Sequence, residues 1–128
     1  MASDFETYYL ETQEGKNLPV KHCIRDTEGW QIRKEIADLI STEPIIKETF
    51  GSSRLPERIR TLSDQEAIES ITLVGLCTDI CVISNAMVLK AFFPELPIHV
   101  DASCCAGVKP ESHAAALQTM QMCQIHVR

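Results

Sequence analysis

The sequence lacks the features that define several functional classes. Its 128 residues contain no lysine or arginine run and carry a net charge of −6, so nucleic acid and anionic membrane surfaces are unfavourable partners. No apolar stretch approaches the roughly 18 residues of a membrane-spanning helix. The acidic beginning, MASDFETYYLE, is not an apolar secretory segment. A cytoplasmic location is therefore the default expectation.

Short cofactor motifs are also absent. The five glycines are isolated from one another, so neither a dinucleotide-binding G-x-G-x-x-G segment nor a phosphate-binding loop can be drawn. The six cysteines lie mostly inside apolar runs and include no C-x-x-C pair, which favours reduced thiols over a disulfide framework or a thioredoxin-like motif. Cys77 and Cys81 are spaced C-x3-C without a second pair at zinc spacing, so a structural zinc site is disfavoured.

The residues that are present predict a single α/β domain over residues 1–128. Apolar residues make up 45% of the chain, enough to build a core. Apolar periodicity and turn residues predict strands at 44–50, 70–76, 97–103 and 123–128, and helices from Trp30 onward and at 52–62, 78–93 and 109–122. We expect Thr78 to cap the third helix. This alternation predicts a parallel sheet with helices on its faces, a three-layer α/β/α arrangement.

Cys81 is the first candidate for chemistry, because it lies where the strand at 70–76 passes into a helix. Sites in parallel sheets form at the carboxyl ends of strands. Unpaired N–H groups of the first helical turn stabilise a thiolate and can receive an oxyanion. A structural cysteine in an apolar helix is the alternative. Lys47 lies inside the strand at 44–50, where a charge needs a partner or a function unless it reaches water. His22, next to Cys23, is a weak signal for a metal ligand.

Three segments in order along the chain carry a resemblance. LVGLCTDICVISNA resembles the G-x-x-T-D-x-C-V signature of cysteine hydrolases of the isochorismatase and nicotinamidase superfamily, with Cys81 at the cysteine position. IIKETFGSSRL is similar to the segment that contains the family's lysine, here Lys47. LPVKHCIRDTEGW resembles the histidine–cysteine segment of the nicotinamidase-like branch, with Asp26 where glycine is usual. A DASC segment at 101–104 is a fourth, weaker match.

The resemblance implies a fold and a reaction. It implies the isochorismatase-like α/β/α fold and hydrolysis of a small, nicotinamide-like amide through a thioester on Cys81, with release of ammonia. Lys47 would assist the thiol, the N–H groups of Cys77 and Cys81 would form the oxyanion hole, and the Leu76–Cys77 peptide bond would be cis. His22 would be a ligand of a divalent metal such as Zn, Fe or Mn. A homo-oligomer is compatible with this reading.

Two elements of the family pattern have no counterpart in the sequence. The segment D-x-Q-x-D-F, which provides the family's catalytic aspartate, is absent, as is the D-x-H segment that provides further metal ligands. Asp4 follows no apolar strand and is not a substitute for that aspartate. We therefore expect an N-terminally incomplete domain with unpaired strand edges and low activity, since a general base contributes about 10²–10⁴-fold in rate.

Two other functions are compatible with the same residues. The first is a non-catalytic binding or assembly module that kept the fold, in which a partner strand would complete the sheet. The second is a thiol redox protein that uses Cys81 with Cys77 or another thiol.

Overall fold

The computed structural model describes residues 2–3 and 7–128, and Asp4 lies outside them. The elements in chain order are β1 (Ala2–Ser3), a 3₁₀ turn (Thr7–Glu11), α1 (Gln13–Asn17), a second 3₁₀ turn (Glu28–Trp30), α2 (Lys34–Ala37), β2 (Ile46–Lys47), α3 (Arg54–Ser63), β3 (Ile71–Leu76), a π-helical turn (Thr78–Val82), α4 (Ile83–Phe92), β4 (Ile98–Ala106), α5 (Pro110–Met122) and β5 (His126–Val127).

The chain divides into two compact units, Met1–Thr49 and Phe50–Arg128. The single domain inferred from the sequence stays a prediction. Within the described residues, no helix is both long enough and apolar enough to span a membrane.

The first unit contains short elements joined by turns. β1 pairs in parallel with β2, and Thr12 caps α1 by accepting the N–H of Gly15 at 3.0 Å. Gly15 is required at this position because a Cβ there would lie 1.9 Å from the carbonyl oxygen of Tyr9. Tyr9 is buried and donates its hydroxyl proton to the carbonyl of Leu18 at 3.2 Å.

The long helix expected from Trp30 onward is much shorter than its apolar pattern indicates. Only Lys34–Ala37 is α-helical. Of the predicted apolar stripe, Ile36 is 54% exposed and Leu39 is 80% exposed. Helices of fewer than about 12–15 residues are marginal in water and depend on tertiary packing. This stripe is not buried, so periodicity alone was not enough to form the helix.

The second unit contains three of the four strands predicted for the parallel sheet; the fourth, at 44–50, is reduced to β2 and pairs with β1 in the first unit. The strand order in the second unit is β3–β4–β5, with α4 crossing between β3 and β4 and α5 crossing between β4 and β5. Both strand pairs are parallel. The α/β fold with a parallel sheet is thus confirmed, and the strands and helices predicted in this unit form close to their expected positions.

The core of this unit lies between the sheet and the helices α4 and α5. Strand and helix residues both contribute side chains to it, and its buried members are Val82, Ala86, Leu89, Ile98, Val100, Met120 and Ile125. Met122, two residues after the buried Met120, is 80% exposed, because side chains two positions apart on a helix point in nearly opposite directions.

Exposure alternates along β3 as a strand with one covered face requires. Thr72, Val74 and Leu76 are exposed, and Val74 and Leu76 are 57% and 71% accessible. Among the described residues, β3 pairs only with β4. This face of β3 therefore presents two exposed apolar side chains, Val74 and Leu76.

Candidate active site

The cysteine-bearing turn follows directly from the carboxyl end of β3. Gly75, at φ +115°, adopts a backbone conformation that other residues rarely reach, and the Leu76–Cys77 peptide bond is cis, as the resemblance implied. The carbonyl of Cys77 then accepts the N–H groups of Ile80 at 3.1 Å and Val82 at 3.0 Å. This wide turn, Thr78–Val82, is π-helical and passes into α4.

The expectation that Thr78 caps this helix is wrong. The residue at the cap position is Cys77, and it makes no side-chain capping bond. Thr78 is instead fully buried within the turn, and its Oγ1 lies 2.8 Å from Nδ1 of His113 on α5. A serine or threonine hydroxyl serves as a cap when no other partner competes for it. Here a side chain from another helix takes that hydroxyl.

Cys77 and Cys81 are both half-buried and share this one turn. All six cysteines are free thiols. The neighbouring strand contributes a contrasting thiol, Cys105, which pairs in register with Gly75. Burial raises the pKa of Cys105 and so keeps it protonated. π-helical turns occur often at functional sites, and the one here places Cys81 at the start of a helix beside the carboxyl end of a parallel strand.

Asp79 joins the cysteine-bearing turn to the beginning of α5. Its two carboxylate oxygens each accept the Val108 N–H at 3.1 Å, and Oδ2 also accepts the Ser112 hydroxyl. Partial burial by itself would raise the pKa of Asp79, but the bonds from Ser112 and Val108 and the charge of His113 outweigh it and hold that pKa below its ordinary value. Asp79 therefore stays ionised at neutral pH.

Asn85 holds the other side of the same region. It is 1% exposed, and its Oδ1 accepts the N–H of Ser52 at 2.9 Å. Its Nδ2 donates to the carbonyl of Phe50 at 3.1 Å and to the carbonyl of Cys81 at 2.7 Å. A buried amide is stable only when its donors and acceptors are satisfied. Asn85 thus connects the chain segment before α3 to the residue that carries the candidate nucleophile.

The other two predicted site residues belong to the first unit. Lys47 lies on β2 and is 6% exposed, and its ammonium group donates a hydrogen bond to the carbonyl oxygen of Thr49 at 3.0 Å. His22 lies in a loop, where its Nδ1 is 2.6 Å from the carbonyl oxygen of Val20 and its ring meets the edge of Tyr9 at 5.3 Å. Of the two possibilities that the sequence left open for Lys47, its burial disfavours a side chain that reaches water.

The residues present do not form a metal site. No group of three or more histidine, cysteine, aspartate or glutamate side chains is suitably placed within residues 2–3 and 7–128. Zinc and related ions need three or four such ligands, and His22 is a single one. The described residues therefore do not fit a metal.

Asp79, Ser112 and Asn85 were not identified as site residues from the sequence. Asp79 stands in the T-D-x-C pattern, which is a signal that could have been used. Ser112 and Asn85 carry no such signal, because the bonds that join them to other elements, Ser112 to Asp79 and Asn85 to Ser52, each span 33 residues. Asp101, the first residue of the DASC segment, accepts bonds from the N–H and hydroxyl of Ser103 within β4.

The fold and this turn define a class: α/β proteins with a candidate nucleophilic cysteine at the carboxyl end of a parallel strand. The profile of the isochorismatase domain family matches residues 3–128. The chain belongs to this family of hydrolases. No curated protein sequence matches it.

Solved structures with the same fold include three that carry amidase names. A nicotinamidase from Bacillus subtilis is 21% identical, with a TM-score of 0.78, over 98% of this chain and 71% of that one. A pyrazinamidase from Pyrococcus horikoshii, in complex with zinc, is 18% identical, with a TM-score of 0.72, over 98% and 72%. A pyrazinamidase/nicotinamidase from Streptococcus mutans is 21% identical, with a TM-score of 0.78, over 98% and 72%.

Proposed function

We propose that this chain is a cysteine hydrolase that cleaves a small nicotinamide-like amide, with Cys81 as the nucleophile. The observation that carries the proposal is the placement of Cys81 in the first helical turn after a parallel strand, in a chain of the isochorismatase family. The N–H groups of a first helical turn can stabilise negative charge that develops on sulfur or on a carbonyl oxygen. The names of the three solved structures support an amide as the substrate class.

The reaction proceeds in two steps through a thioester. Sγ of Cys81 attacks the amide carbonyl carbon, the C–N bond breaks, and the nitrogen leaves as ammonia with the proton of the thiol. Water then attacks the thioester, the C–S bond breaks, and a carboxylic acid is released with regeneration of the thiol. In this proposal the N–H groups of Cys77 and Cys81 receive the oxyanion, and the resemblance to the family assigns to Lys47 the role of assisting the thiol.

The proposal assigns no role to His22 or to a divalent metal, because the described residues do not fit one. The zinc in the Pyrococcus horikoshii structure belongs to that protein, and the described residues of this chain do not provide a ligand cluster. Neither of the two chemical steps above requires the metal. The comparisons do not favour the alternative of a non-catalytic module.

Ammonia release by the purified full chain tests the proposal. We expect nicotinamide or pyrazinamide to release ammonia in a coupled assay, and intact-mass spectrometry to detect an acyl adduct on the protein. The Cys81→Ala variant should lose both signals, while Cys123→Ser, at an exposed cysteine, should retain them. Turnover that persists in Cys81→Ala, or no ammonia from either amide, would contradict the proposal.

A further inference from the structure

We propose that Asp79 is a positioning residue that holds the Cys81 turn in its reactive geometry by anchoring it to the beginning of α5. This inference rests on the proposed role of Cys81 as a nucleophile. It assigns a function to the contacts among Asp79, Val108 and Ser112 that the hydrolysis steps do not use.

The first argument is the direction of the Asp79 carboxylate. Both of its oxygens face the N-terminal segment of α5, where they accept the Val108 N–H and the Ser112 hydroxyl. α5 lacks a side-chain cap of its own, since Lys109 at the cap position makes no such bond. Asp79 thus binds the residue just before the cap position, Val108, and a side chain of the first turn of α5, Ser112. A bond of this kind fixes two elements relative to each other.

The second argument is the fit around the carboxylate. A Cβ added at Gly107 would lie 2.8 Å from Cβ of His113 and 3.2 Å from Cγ of Asp79. The first of these distances is shorter than a contact between two carbon atoms allows. The space beside Asp79 is therefore shaped by a glycine. A second bond joins the same two elements, between Thr78 and His113 at 2.8 Å. The turn is held to α5 at two consecutive residues, Thr78 and Asp79.

A positioning role and an electrostatic role predict opposite results. Asp79 carries a negative charge close in sequence to the thiol, and a negative charge raises the pKa of a neighbouring thiol. If charge were its only influence, removal of the carboxylate would speed up alkylation of Cys81. If Asp79 holds the turn, its removal slows alkylation, because the thiol loses its fixed place at the start of the helix. The amide of asparagine keeps an acceptor oxygen for Val108 and Ser112 without the charge.

The test measures iodoacetamide alkylation of each cysteine in the full chain by peptide mass spectrometry between pH 5 and 9. The exposed thiol of Cys123 is the internal reference. For the unmodified chain we expect Cys81 to react at least about tenfold faster than Cys123 at pH 7. Asp79→Ala should bring the ratio of the Cys81 alkylation rate to the Cys123 rate, the Cys81 ratio, close to one. Asp79→Asn should restore this ratio to within about threefold of its value in the unmodified chain. Gly107→Ala should reduce the ratio as Asp79→Ala does.

A matched control is available on β4. Asp101 also accepts an N–H and a hydroxyl from a serine, Ser103, but these bonds stay within its own strand and do not reach the cysteine-bearing turn. Asp101→Ala should leave the Cys81 ratio unchanged. Ser112→Ala removes only one hydroxyl donor and keeps the test decisive if Asp79→Ala does not fold. We expect an intermediate decrease of about threefold for that variant.

The outcomes separate this inference from the proposed function. A Cys81 ratio near one in the unmodified chain would refute the activated thiol itself, and the positioning role with it. A high ratio that Asp79→Ala and Ser112→Ala leave unchanged or increase would overturn the positioning role alone. Equal losses in Asp79→Asn and Asp79→Ala would also overturn it, because they would show that an acceptor oxygen at position 79 does not restore the reactivity of Cys81.

Discussion

Replacement of Asn85 by alanine should strongly destabilise the second unit. The side chain is 1% exposed and makes three hydrogen bonds, to Ser52, Phe50 and Cys81. The alanine variant leaves the N–H of Ser52, itself a buried residue, without this acceptor. A buried polar group that loses its partner forfeits its solvation as well as the bond.

The magnitude follows from the number of bonds. At about 0.5–1.5 kcal/mol for each of the three, the free energy of unfolding should fall by about 2–4 kcal/mol. For a chain of this size that corresponds to a decrease in Tm of roughly 10 °C. The measurement is urea unfolding followed by far-UV circular dichroism, with the slope of the free energy against urea concentration compared between variants.

Asn85→Asp provides a second, pH-dependent version of the same perturbation. The new carboxylate would face the carbonyl oxygens of Phe50 and Cys81, which now accept from the amide. Burial and these oxygens raise its pKa above the unfolded value of about 4. The variant should therefore be closest to the original stability below about pH 4 and lose stability as the pH rises above it.

Ser84→Ala is the matched control for Asn85→Ala. The Ser84 hydroxyl donates to the carbonyl of Ile80 at 2.6 Å, within the same helical segment, and this bond bridges no distant elements. Its loss should change the free energy of unfolding by no more than about 0.5 kcal/mol. If Asn85→Ala is as mild as Ser84→Ala, the reasoning that Asn85 holds the region together is refuted.

Three further predictions concern stability. Gln124→Gly should raise the free energy of unfolding by about 0.5–1 kcal/mol, because Gln124 has a φ of +63° just after α5, where glycine is favoured; a decrease in a thermal melt would contradict this. Leu89→Ala should cost about 2–5 kcal/mol in urea unfolding, since Leu89 is fully buried, while the exposed Leu39→Ala should cost less than about 0.5 kcal/mol. The Ser112 hydroxyl and the Val108 N–H hold the pKa of Asp79 below its ordinary value, and the hydroxyl and N–H of Ser103 do the same for Asp101. The stability that these two carboxylates contribute is therefore present above about pH 4 and is lost as the pH falls through their folded pKa values. Asp79→Asn should flatten this acid limb of the stability profile, and an unchanged limb would count against the contacts of Asp79.

Local sequence was enough to predict the regular elements of the second unit. The β-branched run at 70–76 forms β3 because such residues suit a pleated and partly buried strand. Pro110 and Glu111 start α5, since proline fits the first helical turn and an acidic side chain favours its positive end. The site at the carboxyl end of β3 then follows from the alternation of strands and helices, which places a helix start there.

Other features depend on contacts between distant parts of the chain. Asp79 meets Val108 across 29 positions and Ser112 across 33, and Asn85 meets Ser52 across 33; neither propensity nor periodicity encodes such distances. The helix expected after Trp30 failed for the same reason, because burial rather than pattern decides whether a short helix persists. The sequence by itself thus determined the strands and helices of the second unit, the family motifs and the choice of Cys81 as the candidate nucleophile. Only the tertiary structure decided the π-helical turn and the side chains that anchor it, because those depend on which residues packing brings together.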